Sequence, residues 1–329
     1  MPKHHPVITL IGGGTGSYTL LQSLKKLTPN ITALVNMADD GGSTGVLRDE
    51  LGVLPPGDVR QCLVALSDAS QELRDLFNFR FPNGGVLQGH SFGNIFLSAV
   101  EKMTNNFEDG VRIASDVLRI TGTVLPITLD NCQLILKTDD AVIEGQHAIE
   151  LYNLPPHYHP DLSFSAQTTI TAKAKSAILK ADIIIIAPGN LYASLAPALI
   201  VGGVTEALQA SKAKKVFVCN LVNKPAHTAD FAVHDYAYEI ERLTCSGLLD
   251  YVLYNNDMPS PSLLRKYALD HEYPVLVDES MLQGKSYQAI GGSFLSHSAV
   301  ARNPNDIFMQ RSLIRHDANA VSAAIANLI

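Results

Sequence analysis

The chain has 329 residues, 46% of them hydrophobic and 17% charged, which excludes disorder as its main state and allows a sizeable core. Its net charge of −7 excludes a broad nucleic-acid or anionic-membrane surface, which needs a basic face. Net charge does not describe a pocket, so a small phosphorylated ligand stays open.

Residues 1–6 lead straight into Val7-Ile8-Thr9-Leu10-Ile11, a run too short for an export-signal core or a membrane span. Cys62, Cys132, Cys219 and Cys245 are widely spaced with no C-x-x-C pair, and read as reduced, mostly buried thiols. A cytoplasmic protein without a membrane span is the expectation. Residues 7–11 read as a buried strand, followed by a helix over 17–27 with Leu20, Leu21, Leu24 and Leu27 on one face. A second strand covers 31–37. Residues 38–60 then read as a long Gly/Pro/Asp-rich loop, of a length that is usually functional. A helix is expected over 92–103. Residues 121–170 read as strands and irregular chain (124–128, 133–138, 141–144), a small antiparallel subregion. Four consecutive isoleucines mark a strand over 182–187, and 216–220 and 251–255 repeat the type. Continuous apolar strands separated by helices predict an α/β fold with a mostly parallel sheet covered on both faces. Residues 280–312 carry no clear pattern. Val321, Ala324, Ile325 and Leu328 form a closing helix, with Asp317 as N-cap. One domain spanning 1–329 accounts for these elements.

The candidate functional residues follow the same order. Gly12-Gly13-Gly14-Thr15-Gly16 lies between a strand and a helix, where glycines let backbone N–H groups approach an anion at a helix N-terminus. Ser17 stands where the Rossmann fingerprint needs its third glycine, so G-x-G-x-x-G is not met, and no Walker lysine follows. Asp39-Asp40-Gly41-Gly42-Ser43 begins where the second strand ends. Asp39 falls 23 residues after Gly16, near where a Rossmann protein keeps its ribose-binding acid. The pair Asp39 and Asp40 can instead hold Mg²⁺ through oxygen, and an Asp-Gly turn is the simpler alternative. Arg48 and Arg60 are phosphate partners or solvated charges, and Asp58 is an N-cap or a ligand group.

Gly89-His90-Ser91-Phe92-Gly93-Asn94 matches the G-x-S-x-G nucleophile elbow, but residues 82–88 are loop-like where an elbow needs a strand. A second anion-binding turn at a helix start, or simple capping by Ser91, fits better. Gly189, Asn190 and Tyr192 follow the isoleucine strand, and Asn220 closes the next. Polar turns at four strand ends describe one cleft. No side chain except His90 is an evident proton shuttle, so no catalytic residue is assigned.

These motifs resemble the YvcK/CofD-like family, on GGGTG (12–16), ADDGGSTG (38–45), LRDELGVLPPGDVRQCLVAL (47–66), GHSFGN (89–94), GTVLPITLD (122–130) and APGNLYASLAPALIVGG (187–203). The match is nearer its YvcK branch, the gluconeogenesis factors, than 2-phospho-L-lactate transferase. The resemblance implies a Rossmann-like three-layer α/β/α fold with a nucleotide-type ligand at the strand ends. It implies a cytoplasmic regulator of cell shape and of growth on gluconeogenic carbon sources that binds a UDP-sugar. The transferase branch implies a Mg²⁺-dependent transfer of a phospholactyl group from a nucleotide-activated donor. By motif, the ligand set is Gly12 to Gly16, Asp39, Asp40, Ser43, Asp58, Arg60, His90, Ser91, Asn94, Gly189 and Tyr192. A Tyr and an Arg near the C-terminus are linked to UDP-sugar binding in the YvcK branch, and Tyr267 and Arg315 match them best. A homodimer is implied, and a protein partner is left unidentified. Thr44, Phe92, Asn190 and the stretch 223–228 depart from the family pattern, which bears on the sugar or base.

Overall fold

A computed structural model describes residues 5–297 and 313–329. Seven strands form one parallel sheet: β1 (Ile8–Gly12), β2 (Ile31–Val35), β3 (Thr123–Pro126), β7 (Ile183–Ile186), β8 (Lys214–Val218), β9 (Tyr251–Asn255) and β10 (Gln288–Gly292). Their order is β10-β9-β8-β7-β1-β2-β3, a doubly wound arrangement. Three further strands, β4 (Leu134–Lys137), β5 (Val142–Glu144) and β6 (Asp161–Phe164), pair antiparallel in the order β5-β4-β6. The fold is α/β and Rossmann-like, with the small antiparallel sheet expected from residues 121–170.

The isoleucine strand shows why the sheet has two covered faces. Side chains alternate along a strand, so Ile183 and Ile185 pack with Leu20, Leu24 and Leu63, while Ile184 and Ile186 pack with Ile178, Leu199 and Ile240. All four isoleucines are fully buried. Burial of each contributes about 1.5–3 kcal/mol. On one face lie helices α1 (Gly14–Leu24), α2 (Gly42–Leu51), α3 (Gly57–Leu66), α4 (Gln71–Asn78), α5 (Phe92–Thr104) and α6 (Phe107–Leu118), joined by the C-terminal helix Ala318–Ala326. Asp317 caps that last helix by accepting from the N–H groups of Asn319 and Ala320.

Four sequence expectations are corrected. Residues 38–60 are not one long loop: α2 and the first turn of α3 occupy most of that span. The α2 sequence starts on a glycine and buries only Thr44, Gly45 and Leu47, so it lacks a leucine stripe. The first helix begins at Gly14, inside the glycine run, not at Ser17. The N-cap of α3 is Pro56, and Asp58 sits in the first turn. Residues 124–128 do not join the antiparallel subregion, because β3 pairs with β2 at the edge of the parallel sheet. Within 280–297, β10 adds an edge strand that two glycines concealed; residues 298–312 lie outside the described part.

The first and fourth strands of the parallel sheet's chain order, β1 and β7, meet through a glycine. A Cβ added to Gly16 would lie 1.9 Å from the Pro188 carbonyl oxygen, in the turn after β7. No side chain can relieve that overlap, since the obstacle is backbone. Gly16→Ala is expected to lower stability by at least about 2 kcal/mol, read as a lower urea midpoint; an unchanged midpoint would show that the two turns are not in contact.

Candidate functional site

Strand order reverses between β1 and β7, and such a switch point opens a crevice at the carboxyl ends of the strands. The glycine run leaves β1 on one side of it and the turn 187–190 leaves β7 on the other. Gly14 has a φ of 64°, which glycine adopts without strain. Asn220, beyond the end of β8, clamps Gly189 from both sides: its Nδ2 donates to the Gly189 carbonyl (2.8 Å), and its Oδ1 accepts from the Gly189 N–H (3.2 Å). Asn190 accepts from the Ala193 N–H and so starts the π-helical turn Leu191–Leu195.

Four helices begin at this edge, and contacts between their first turns join them. Asp58 of α3 lies against the start of α1, because a Cβ on Gly13 would meet its Oδ2 at 2.0 Å. Asp39 and Thr44, the latter in α2, both lie against Gly57, the first residue of α3. Ser43 of α2 bonds to His90 and Asn94 at the start of α5. The N-cap positions of α1, α2 and α3 are Gly13, Gly41 and Pro56, none with a side-chain cap. N–H groups without an N-cap side chain and the positive ends of helix dipoles therefore converge on one place, with Asp58 taking the Gly14 N–H, and that is the electrostatic requirement of an anion site. Only α5 is capped, by Ser91 Oγ accepting from the Asn94 N–H (3.2 Å). Ser91 is fully buried and no strand precedes it, which removes the nucleophile-elbow reading.

The carboxylates divide into two roles. Asp58 is pushed up to about 7 by burial and by the nearby charge of Asp39, against the opposing pull of the Gly14 N–H and of Arg60. Asp39 is also raised, chiefly by burial, although the Gly41 N–H, the Thr44 hydroxyl and Arg48 pull it down. Asp40 turns elsewhere. Its Oδ1 and Oδ2 accept from the N–H groups of His147 (2.7 Å) and Gln146 (2.9 Å), at the start of the helix Gln146–Leu151. Asp39 thus lies between two other carboxylates, its own raised by burial and by the charge of Asp40, and its charge in turn raising Asp58. Both candidate arginines serve the framework. Arg48 donates to the Asp39 carbonyl, Asn131 Oδ1 and the Cys132 carbonyl. Arg60 is buried and donates to Asn78 Oδ1 and the Phe77 carbonyl.

Ser43 Oγ lies 3.0 Å from His90 Nδ1 and accepts from Asn94 Nδ2 at 3.2 Å. That leaves Asn94 Oδ1 a buried acceptor with no partner among the described residues. Two residues that sequence reasoning missed share this condition. Ser17 Oγ and Asn36 Nδ2 are buried and unpartnered among the described residues, beside the ends of β1 and β2. A buried polar atom left unpaired costs about 1–3 kcal/mol, so such a group calls for an explanation. Asn36, not Asp39, occupies the end of β2; its position next to the strand was the available signal.

Three expected ligand residues sit away from the glycine loop. Tyr192 is fully buried in the core, its hydroxyl directed to the Tyr158 carbonyl and its ring against His227. Tyr267, in the helix Pro261–Ala268, uses its hydroxyl to accept from the N–H groups of Leu313 and Ile314. Arg315 follows Ile314, and its carbonyl accepts from the Ser296 N–H. Ile314 in turn lines a cavity of 530 Å³ beyond the ends of β8 and β9, with Asn220, Asn255, Met258, Pro274 and Val275. Tyr267 thus positions a wall of that cavity. Asn220 belongs to both the cavity and the switch-point turn. Among the described residues, no group of three or more His, Cys, Asp or Glu side chains is arranged to hold a metal ion, and no single helix is long and apolar enough to cross a membrane.

A family model described as 2-phospho-L-lactate transferase CofD matches residues 8–295. A relative from Halalkalibacterium halodurans named gluconeogenesis factor is 36% identical, over 97% of this chain and 95% of the relative. One of the same name from Bacillus subtilis is 34% identical over 98% of each. A crystal structure of a protein from Bacillus halodurans is 35% identical, with a TM-score of 0.88 over 98% of this chain and 99% of that one.

The raised Asp58 carboxyl carries a pH signature. Its folded value near 7 exceeds the ordinary carboxylate value near 4, so its stabilising contribution is full below about pH 4 and is lost as pH rises towards 7. Asp58→Asn keeps an acceptor for the Gly14 N–H and removes the charge. In the ligand-free protein at pH 8 it is expected to raise stability by roughly 1–3 kcal/mol, with little gain at pH 4. Thermal unfolding at the two pH values checks this; a gain independent of pH would contradict it.

Proposed function

The chain belongs to the 2-phospho-L-lactate transferase CofD family, and from that premise we propose that it is a nucleotide-sugar-binding regulator of the gluconeogenesis-factor type. The observation that carries this reading is the convergence of three uncapped helix N-termini on the switch-point crevice. A diphosphate placed there meets backbone N–H groups of α1, α2 and α3. Its sugar hydroxyls would satisfy Asn94 Oδ1 and Asn36 Nδ2, which are buried and otherwise unpartnered among the described residues. The cavity beyond β8 and β9 offers apolar walls and asparagine amides to the base or the sugar.

Asp39 and Asp58 are the residues that fit a divalent cation. Asp39 lies against the start of α3 and Asp58 against the start of α1, and burial and the charge of Asp39 raise Asp58 although Arg48 and Arg60 offset part of the negative charge. Mg²⁺ bound there would neutralise that charge beside a diphosphate. Asp40 is turned to the helix Gln146–Leu151, where each of its oxygens accepts one amide hydrogen. The same carboxylate pair favours a second reading, a Mg²⁺-dependent transferase acting on a nucleotide-activated donor. Neither carboxylate stands beside a group that would activate it as a nucleophile, and His90 holds Ser43 through its Nδ1. Regulation by binding is the better reading, in the cytoplasm and as a homodimer.

Calorimetric titration with UDP-N-acetylglucosamine and with GDP, each with and without Mg²⁺, separates the two. The expected result is UDP-sugar binding that Mg²⁺ strengthens, with the Mg²⁺ effect reduced at least about tenfold by Asp39→Asn. Tight binding of GDP with Mg²⁺ and no response to the UDP-sugar would overturn the regulator reading in favour of the transferase.

A further inference from the structure

We propose that the short helix Gln146–Leu151 is a crossbar that joins the two walls of the crevice, with Asp40 and His227 as its pins. One wall is the segment after β2, the other the turn after β7. The helix belongs to neither. It follows β5 of the small antiparallel sheet and has no side-chain cap of its own, because its N-cap is Gly145. Asp40 supplies the cap from 106 residues away, each carboxylate oxygen taking one amide. Gly145 is what allows the approach: its φ is 96°, and a Cβ there would lie 2.7 Å from Asp40 Oδ2.

At its other end the helix is tied to the second wall. The Ile149 carbonyl accepts from His227 Nε2 (2.8 Å), and His227 Nδ1 lies 3.1 Å from Asn190 Oδ1. Asn190 starts the π-helical turn Leu191–Leu195, which packs on the crossbar helix. His227 is buried, and burial holds its pKa below the usual imidazole value, so the neutral ring spends its one N–H on the Ile149 carbonyl and meets the second wall by packing against Tyr192, with ring centres 5.8 Å apart. Two further bonds run in parallel. Arg48 ties α2 to Asn131 and Cys132, just before β4, and the Leu154 N–H donates to the Ala226 carbonyl. An unbroken chain of contacts thus runs from Asp40 through Gln146, Ile149 and His227 to Tyr192 of the π-helical turn. Each pin is a charge-assisted or buried hydrogen bond, the kind that is costly to break singly.

A crossbar makes the walls interdependent: loosening either pin loosens the opposite wall, and a ligand that orders one wall orders the other. Asp40 is then a positioning residue for Asp39 and the glycine loop, not a ligand group. Only the ligand part of this inference rests on the nucleotide-sugar reading.

Hydrogen exchange on the full chain tests it. In the ligand-free protein, Asp40→Ala is expected to speed exchange at least about tenfold in residues 146–151 and also across the crevice in 190–195. His227→Phe, which keeps a ring in the cavity, should speed exchange at the Gln146 and His147 amides. Asp40→Asn retains one acceptor and should give an intermediate effect, which keeps the test available if the alanine variant folds poorly. The unfolding free energies of Asp40→Asn and His227→Phe should be non-additive in the double variant. Effects confined to the amides beside each substitution, with additive energies, would overturn the crossbar. UDP-N-acetylglucosamine should protect 146–151 in the native protein and lose that effect in Asp40→Ala. Absence of any UDP-sugar binding by the native protein would count against the nucleotide reading, while the ligand-free exchange still decides the crossbar.

Discussion

Two carboxylates, Asp39 and Asp58, lie buried where α1, α2 and α3 begin, and the rest of the crevice is organised around their charge. Helix N-termini attract negative charge, and burial and mutual repulsion oppose it. In the ligand-free chain the opposition leaves both acids above their usual range. A phosphate alone would sharpen the conflict, since it brings more negative charge to the same place. A phosphate accompanied by a cation would relieve it. The arginines nearby take only a part of it, because Arg48 and Arg60 lower the two acids by their charge but direct their donors to backbone carbonyls and asparagine side chains.

The parallel sheet puts the carboxylates there. Its central strands β1 and β7 are buried on both faces, so only their ends are free to carry polar turns. Reversal of strand order at β1 and β7 separates two of those turns enough to leave a crevice, and Gly16 against Pro188 sets how closely the walls approach. The small antiparallel sheet, whose Leu134 and Leu136 join the core on one face of the parallel sheet, gives the crevice its third side through the helix Gln146–Leu151. The crevice therefore draws on three separate parts of the chain: residues 12–60, 89–94 and 146–228.

Much of this was legible in the sequence. The four isoleucines after Asp182 announce a doubly covered strand, and the glycine run 12–16 announces the tight strand-to-helix junction at the switch point. The family motifs come in the right order. What stayed hidden has physical causes. The helix α2 starts on glycines and carries few apolar residues, so its period is faint. Asp40 and its two amide partners are 106 and 107 residues apart, and nothing local distinguishes it from Asp39. Tyr192 offers a hydroxyl on paper, but its ring belongs to the core and takes the hydroxyl with it. Asn36 has no motif around it, and only its burial with an unpaired amide nitrogen singles it out.

The most direct measurement is a crystal structure of the protein with UDP-N-acetylglucosamine and Mn²⁺, using the anomalous signal of the metal to locate it. The account predicts a metal peak between the Asp39 and Asp58 carboxylates, with the diphosphate over residues 13–16 and the Asp40 carboxylate still on the Gln146 and His147 amides. A diphosphate bound away from the starts of α1, α2 and α3, or a metal held by Asp40, would contradict it.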